Sequence, residues 1–297
     1  MGKLYHVLIA IAVCIHAAAI CSHGYAAARK VACVGDGITF GAGLENREIN
    51  SDKIRVLLMG DSTTEGGRGV FETSIEAIFA SEPELPDIEV LNVGKGGETA
   101  HSLFAEGRYE RDISGVGKVD YIFFRYGIND WFHRLPVEEH FRSDVVAALG
   151  RLRSDFPEAQ IVLMSIIPFL DTPKSEIVNE YIREIAKHEG LTFFDIYPAY
   201  STKMKELGQT AMTIRFFPFS EVPEQYQVLL RPYTRYYDWK DAEWVSVQSN
   251  EFDPLMGHLD GWYEDQHPNA TGYRFLASET AKFLQAQLLE DPSSGAP

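Results

Sequence analysis

Residues 54–59 read IRVLLM, and this near-continuous apolar run constrains the fold more than any other feature. A strand that is apolar on both faces must be covered on both faces, which points to a parallel sheet between helical layers. The rest of the chain fits that plan. Helical spacing at Phe71, Ser74, Ile75 and Ile78 follows, within residues 70–81. Residues 88–93 and 121–126 read as strands, with residues 99–109 as a short helix between them. Val137, Phe141, Val145, Leu149, Leu152 and Phe156 form a helical stripe, and residues 161–167 a strand closed by Pro168. Ile177, Tyr181, Ile182 and Ile185 mark the next helix, ended by Gly190. Residues 191–196 read as a fifth strand. A last helix over residues 271–288 turns Tyr273, Leu276, Ala277, Thr280, Phe283 and Leu284 inward. Strands alternating with helices predict a doubly wound α/β fold. The length of 297 residues suits one large domain or two small ones.

Charge excludes some classes of partner. With 27 Lys+Arg against 43 Asp+Glu the net charge is −16. That argues against nucleic acid, whose phosphates need clustered Lys and Arg, and against an anionic membrane surface. The first residues read as an export signal: Lys3, a largely apolar stretch over residues 4–20, and Ala26-Ala27-Ala28 as a small-residue cleavage site. The rival is an uncleaved membrane anchor, against which His6, His16 and the short span weigh, so residues 1–28 are expected to be removed, leaving an exported protein without stable membrane association. Of Cys14, Cys21 and Cys33 only Cys33 would remain, so no intrachain disulfide is expected and the core must carry stability. There is no HExxH or CxxC pairing, so no metal or other cofactor is implied.

In an open parallel sheet the chemistry sits at the carboxyl ends of the strands. Gly60-Asp61-Ser62-Thr63 follows the first strand directly, where a turn into a helix can aim a nucleophilic hydroxyl. After the second strand comes a Gly-rich turn, Gly94-Lys95-Gly96-Gly97, able to present N–H groups to an oxyanion. After the third comes Gly127-Ile128-Asn129-Asp130, with a side-chain amide donor. Near the end stands Glu264-Asp265-Gln266-His267-Pro268. A hydroxyl, oxyanion donors, a base and an orienting acid are the parts of acyl transfer.

These four blocks, in this order, resemble the SGNH hydrolases, the GDSL-type esterase superfamily, over residues 52–288. The resemblance implies a flavodoxin-like three-layer α/β/α sandwich with a central parallel sheet, and ester cleavage by a Ser-His-acid triad. It makes Ser62 the nucleophile, with its own N–H, that of Gly97 and the Asn129 amide as the oxyanion hole, and His267 the base. The family's acid lies three residues before the histidine, where this chain has Glu264. Glu is one methylene longer than Asp. Asp265 next to it is the alternative, as is a backbone carbonyl that orients the ring.

A second copy of the nucleophile block, Val34-Gly35-Asp36-Gly37, carries Gly where Ser belongs and cannot attack an ester. Residues 29–51 read either as a relic of a duplicated block or as a loosely attached arm, and residues 290–297 as a frayed tail. Between the fifth strand and the His block lies an insertion, residues 209–260. Twelve of the chain's 36 aromatics fall between Phe216 and Tyr263, which suits a substrate wall for sugar rings or apolar chains and equally a satellite core. Arg215, Arg231 and Arg235 in that stretch read as an anion site or as partners of Asp238 and Glu243. Arg125, inside an apolar strand, is expected to pair with a carboxylate. Trp131 is a candidate for the pocket rim. Asn269-Ala270-Thr271 is a sequon by pattern, and Asn269 reads as the cap of the final helix. The expectation is an exported serine esterase acting on a small-molecule or glycan ester, with O-acetyl groups on a carbohydrate preferred. A lipid or aryl esterase and a non-catalytic glycan-binding protein are the alternatives. Nothing in the sequence fixes the oligomeric state.

Overall fold

The computed structural model describes residues 53–290. The leader, Cys33, residues 29–51 with the Ser-less Gly37 block, and all of the tail but Glu290 lie outside the described residues. Five strands, β1 (Ile54–Gly60), β2 (Ile88–Asn92), β3 (Tyr121–Arg125), β4 (Gln160–Met164) and β5 (Thr192–Phe194), pair in parallel in the order β2-β1-β3-β4-β5. The helices are α1 (Ser62–Glu65), α2 (Phe71–Ala80), α3 (Arg108–Asp112), α4 (Ile128–His133), α5 (Val137–Asp155), α6 (Thr172–Glu189) and α7 (Tyr197–Leu207). The chain closes with α10 (Ala270–Glu290). This is the flavodoxin-like three-layer sandwich. Its strand order reverses at β1 and β3, so the crevice for a ligand opens at their carboxyl ends.

Alternation along β1 divides the core as a pleated strand must. Leu57 and Met59 join Tyr109, Phe141, Leu149, Leu152, Val178 and Ile182 on one face. Val56 and Leu58 join Phe71, Ile75, Phe79, Tyr200, Tyr273, Leu276 and Leu284 on the other. The residues expected on the inner face of the last helix are buried, except Phe283, which packs partly buried against this second core.

Three local differences from the sequence reading have clear causes. The stretch expected as one helix over residues 99–109 is a 3-10 segment, Ser102–Gly107, broken at Ala105 and at Glu106 (φ 53°), before α3 begins. The β4 strand ends at Met164 rather than at residue 167, because the backbone of Ile166 turns to pair with the Asn179 side chain of α6. The insertion, whose elements the sequence reading leaves unassigned, is regular because its short runs alternate in and out of a small core. It folds into an antiparallel sheet of β6 (Arg215–Pro218), β7 (Thr234–Tyr237) and β8 (Ala242–Val247) in the order β6-β8-β7, with α8 (Glu224–Leu230) and α9 (Asp253–Met256).

That small sheet divides the aromatic cluster between its two faces, one in a satellite core and one on a cavity. Along β6, Phe217 enters a satellite core with Leu230, Val245, Phe252 and Trp262. Its neighbour Phe216 faces the other way and lines the cavity described below. The charged core of the insertion is a pair. Arg215 is fully buried and donates to Asp253 Oδ2 at 2.7 Å, while Trp262 Nε1 donates to Asp253 Oδ1 at 2.8 Å.

Candidate active site

The β1 strand delivers Ser62. Gly60 ends the strand where any side chain would collide: a Cβ there would lie 2.7 Å from the Arg125 carbonyl. Asp61 follows and caps α1, its Oδ1 accepting from Thr63 N at 2.8 Å and Thr63 Oγ1 at 2.7 Å. Ser62 is thereby fixed as the first residue of a short helix at the crevice. Arg125 does not pair with a carboxylate as expected. Its Nη2 donates to Thr63 O at 2.6 Å and Thr64 Oγ1 at 3.0 Å, tying β3 to the nucleophile turn. Burial pushes the Asp61 carboxyl up despite the attraction of Arg125, and lowers Arg125.

His267 Nε2 lies 2.9 Å from Ser62 Oγ. Its other nitrogen, Nδ1, lies 2.8 Å from Asp265 Oδ1. Asp265 therefore orients the ring, and Glu264 does not, which corrects the expectation drawn from the family's spacing. The reason is local. Asp265 Oδ1 also accepts from the His267 backbone N–H at 2.7 Å, an Asx-type turn that only the shorter acid two residues back can close. Glu264 is exposed and lines a separate depression beside Lys240 and Trp244. The His loop is held from the insertion side, where Ile214 N donates to His267 O at 2.9 Å and Asn269 N to Met212 O at 2.9 Å. Asn269 is buried and caps α10 through Thr271 N and Gly272 N, so a glycan has no room there. Phe169, which follows β4, packs edge-on against the imidazole with centroids 4.9 Å apart. Sequence reasoning missed it, since no periodicity or motif marks a lone aromatic in that loop.

The Gly-rich turn is pinned to α1. Gly96 N donates to Glu65 Oε2 at 2.6 Å, and Asn92 bridges Thr64 O and Gly94 N at 2.9 and 3.1 Å. Gly97 takes φ 74°, the left-handed region in which a side chain is strained. Asn129, buried at the start of α4, donates one amide N–H to Glu98 O at 3.1 Å. Behind it, Tyr126 donates to Glu98 Oε2 at 2.7 Å and Arg108 Nε lies 3.3 Å from Glu98 Oε1. Asp130 Oδ1 accepts from Ala100 N at 3.0 Å, locking α4 to the turn. Burial raises Asp130 to about 7 and pushes Glu98 up as well. Lys95 is exposed.

Ser62, Gly97, Asn129, Asp265 and His267 all line one cavity of about 620 Å³, walled by Phe216, Tyr237 and Trp239 from the insertion. Phe216 stacks on Trp244 at 4.6 Å and on Trp239 at 5.9 Å. Trp131 packs against the core instead of the rim, and His133, two residues on, lines the cavity. Among the described residues no group of three or more His, Cys, Asp or Glu side chains has the geometry of a metal site.

Residues 58–210 match the model of the GDSL-like lipase/acylhydrolase family. An uncharacterised protein, YpmR of Bacillus subtilis, is 19% identical over 259 residues, covering 80% of this chain and 83% of its own. Among solved structures, LAE5, an α/β hydrolase from the metagenome of Lake Arreo, matches with a TM-score of 0.51 at 16% identity, over 80% of this chain and 97% of its own. A catalytic mutant of Axe2, an acetylxylan esterase from Geobacillus stearothermophilus, matches with a TM-score of 0.50 at 17% identity, over 77% of this chain and 93% of its own. With its order of strands, its serine at the end of β1 and a family match across more than half of its length, the chain belongs to the GDSL-like lipase/acylhydrolase family and is a carboxylic ester hydrolase.

Proposed function

We propose that the protein is an exported serine esterase that removes O-acetyl groups from a carbohydrate. The observation that carries the reading is the 2.9 Å contact between Ser62 Oγ and His267 Nε2, with Asp265 on the far nitrogen. In this reading His267 takes the Ser62 proton as Oγ attacks the ester carbonyl carbon. The resulting oxyanion accepts from the N–H groups of Ser62 and Gly97 and from the second amide N–H of Asn129. Collapse breaks the bond to the alkoxy oxygen, which leaves with the proton from His267. Water then attacks the acyl-enzyme with His267 again as base, releasing acetate and restoring Ser62. Asp265, bonded to Nδ1, stabilises the imidazolium.

The aromatic wall of Phe216, Tyr237 and Trp239 supports a sugar as the alcohol part, since planar faces suit the apolar faces of sugar rings. A fold shared with an acetylxylan esterase agrees with an acetyl ester. The apolar leader at residues 4–20 supports export. The test is covalent: a fluorophosphonate probe is expected to label Ser62 in the wild type and not in Ser62→Ala, alongside turnover of p-nitrophenyl acetate. No adduct and no turnover would overturn the esterase reading. A preference for long-chain over acetyl esters would overturn the acetyl reading in favour of a lipid esterase.

A further inference from the structure

We infer that Arg235 forms a carboxylate subsite in the cavity and that the preferred carbohydrate carries a uronic acid next to the acetylated sugar. The inference rests on the reading of the site as a glycan O-acetylesterase and names the class of glycan.

Three arginines of the insertion are equal candidates in the sequence, and the structure separates them. Arg215 is buried against Asp253. Arg231 Nη1 meets Glu243 at 2.7 Å on the surface. Arg235 has no carboxylate within 4 Å among the described residues, and it is the only Arg or Lys among those lining the Ser62 cavity. Of the acids on its own hairpin, Glu243 pairs with Arg231, Asp241 accepts from the Tyr236 hydroxyl, and Asp238, a partner the sequence offered, is not within 4 Å of the guanidinium.

Arg235 is also held ready. Its Nε donates to the Tyr237 hydroxyl, and its guanidinium lies 4.6 Å from the Tyr237 ring centroid. Both residues sit on the same face of β7, two positions apart. That anchorage leaves Nη1 and Nη2, the two parallel donors that grip a carboxylate, without a hydrogen-bond partner among the described residues. The two acids of the cavity do not compete for it. Glu65 accepts from Gly96 N–H, and Asp265 is held by His267. A cation fixed against an aromatic ring, beside further aromatic faces, fits a sugar ring bearing a carboxylate. The net charge of −16 repels anions at long range, but at physiological salt that repulsion is screened beyond about 8 Å while a contact pair persists.

The experiment has a binding arm and a turnover arm. In the Ser62→Ala protein, which cannot form an acyl-enzyme, titration calorimetry compares galacturonate with galactose. Galacturonate is expected to bind about tenfold more tightly, and the difference to vanish on adding Arg235→Met and to return in part with Arg235→Lys. With the Ser62-containing enzyme, the ratio of kcat/KM on acetylated oligogalacturonides to that on acetylated xylooligosaccharides is expected to fall about tenfold in Arg235→Met. Equal binding of the two sugars, or a ratio that Arg235→Met leaves unchanged, overturns the subsite. A wild type that turns over no ester at all overturns the esterase reading instead, and the binding arm still decides the subsite.

Discussion

Asp265 and His267 are joined twice through a single oxygen: Oδ1 of the aspartate accepts from the histidine's backbone N–H at 2.7 Å and from its ring Nδ1 at 2.8 Å. The first bond fixes the turn and the second fixes the tautomer, placing the Nε2 lone pair toward Ser62. A two-residue spacing does here what a three-residue spacing does by a different loop path.

Asp265→Asn keeps the shape and presents an amide to Nδ1 in one rotamer, which favours the wrong tautomer. Its kcat on p-nitrophenyl acetate is expected to fall by about 10²–10⁴. Glu264→Gln, whose side chain lies outside this chain of bonds, is expected to stay within about threefold. The reverse pattern of steady-state rates would return the orienting role to Glu264.

The difference shows what was legible in the sequence. Ser62, Gly97 and Asn129 lie in the turns that follow β1, β2 and β3, and strand ends are readable from runs such as IRVLLM. His267 was readable because His-Pro precedes a helix whose cap is Asn269. Which acid meets the ring depends on how the loop is pinned by Ile214 and Met212, residues more than fifty positions away along the chain, and spacing carries no such information. Phe169 and the sorting of Arg215, Arg231 and Arg235 were hidden for the same reason. Each depends on what the fold sets opposite it, and short apolar strands such as those of the insertion look alike whether they face a core or a cleft.

Trp239 is 70% exposed and its ring is stacked, at 5.9 Å and 8°, over Phe216 on the rim of the cavity. An exposed indole contributes little to stability, and under the proposed function its free face is one a sugar ring can stack on. Trp239→Ala is expected to lower kcat/KM on acetylated oligosaccharides about tenfold, the equivalent of one aromatic stacking contact. Hydrolysis of p-nitrophenyl acetate, which has no sugar to stack, is expected to fall by less than about threefold. Equal losses on both substrates would mean that Trp239 shapes the cavity and does not hold the glycan.

The insertion rests on Arg215 and Asp253. Burial alone would raise the Asp253 carboxyl, but hydrogen bonds from Arg215 and Trp262 outweigh it and hold it below the usual range. Asp253→Ala strands a guanidinium that has no exposed surface. It is expected to cost about 3 kcal/mol, read as a lower urea midpoint. Because Thr213 O and Thr210 O accept from the same guanidinium at 2.7 and 2.6 Å, the segment that pins His267 is expected to loosen too. Activity should then be lost before global unfolding. An unfolding free energy within about 0.5 kcal/mol of the wild type would show that the pair is dispensable.

Asp130 gives the stability of the protein a slope in pH. It is fully buried, its Oδ1 is bonded to Ala100 N, and its Oδ2 has no hydrogen-bond partner among the described residues. Burial pushes its pKa from an ordinary 3.8 to about 7. Between those values the folded state holds a proton that the unfolded state has released, so stability falls as pH rises and levels off above about 7. Glu98 and Asp61, raised by the same cause, add to the slope in the same direction. Asp130→Asn cannot ionise and removes its own share. Urea denaturation at pH 5 and pH 8 is therefore expected to show the wild type losing about 2–3 kcal/mol more than Asp130→Asn between the two. Equal losses would mean that Asp130 is already ionised at pH 5, and that its bond to Ala100, not its burial, governs its charge.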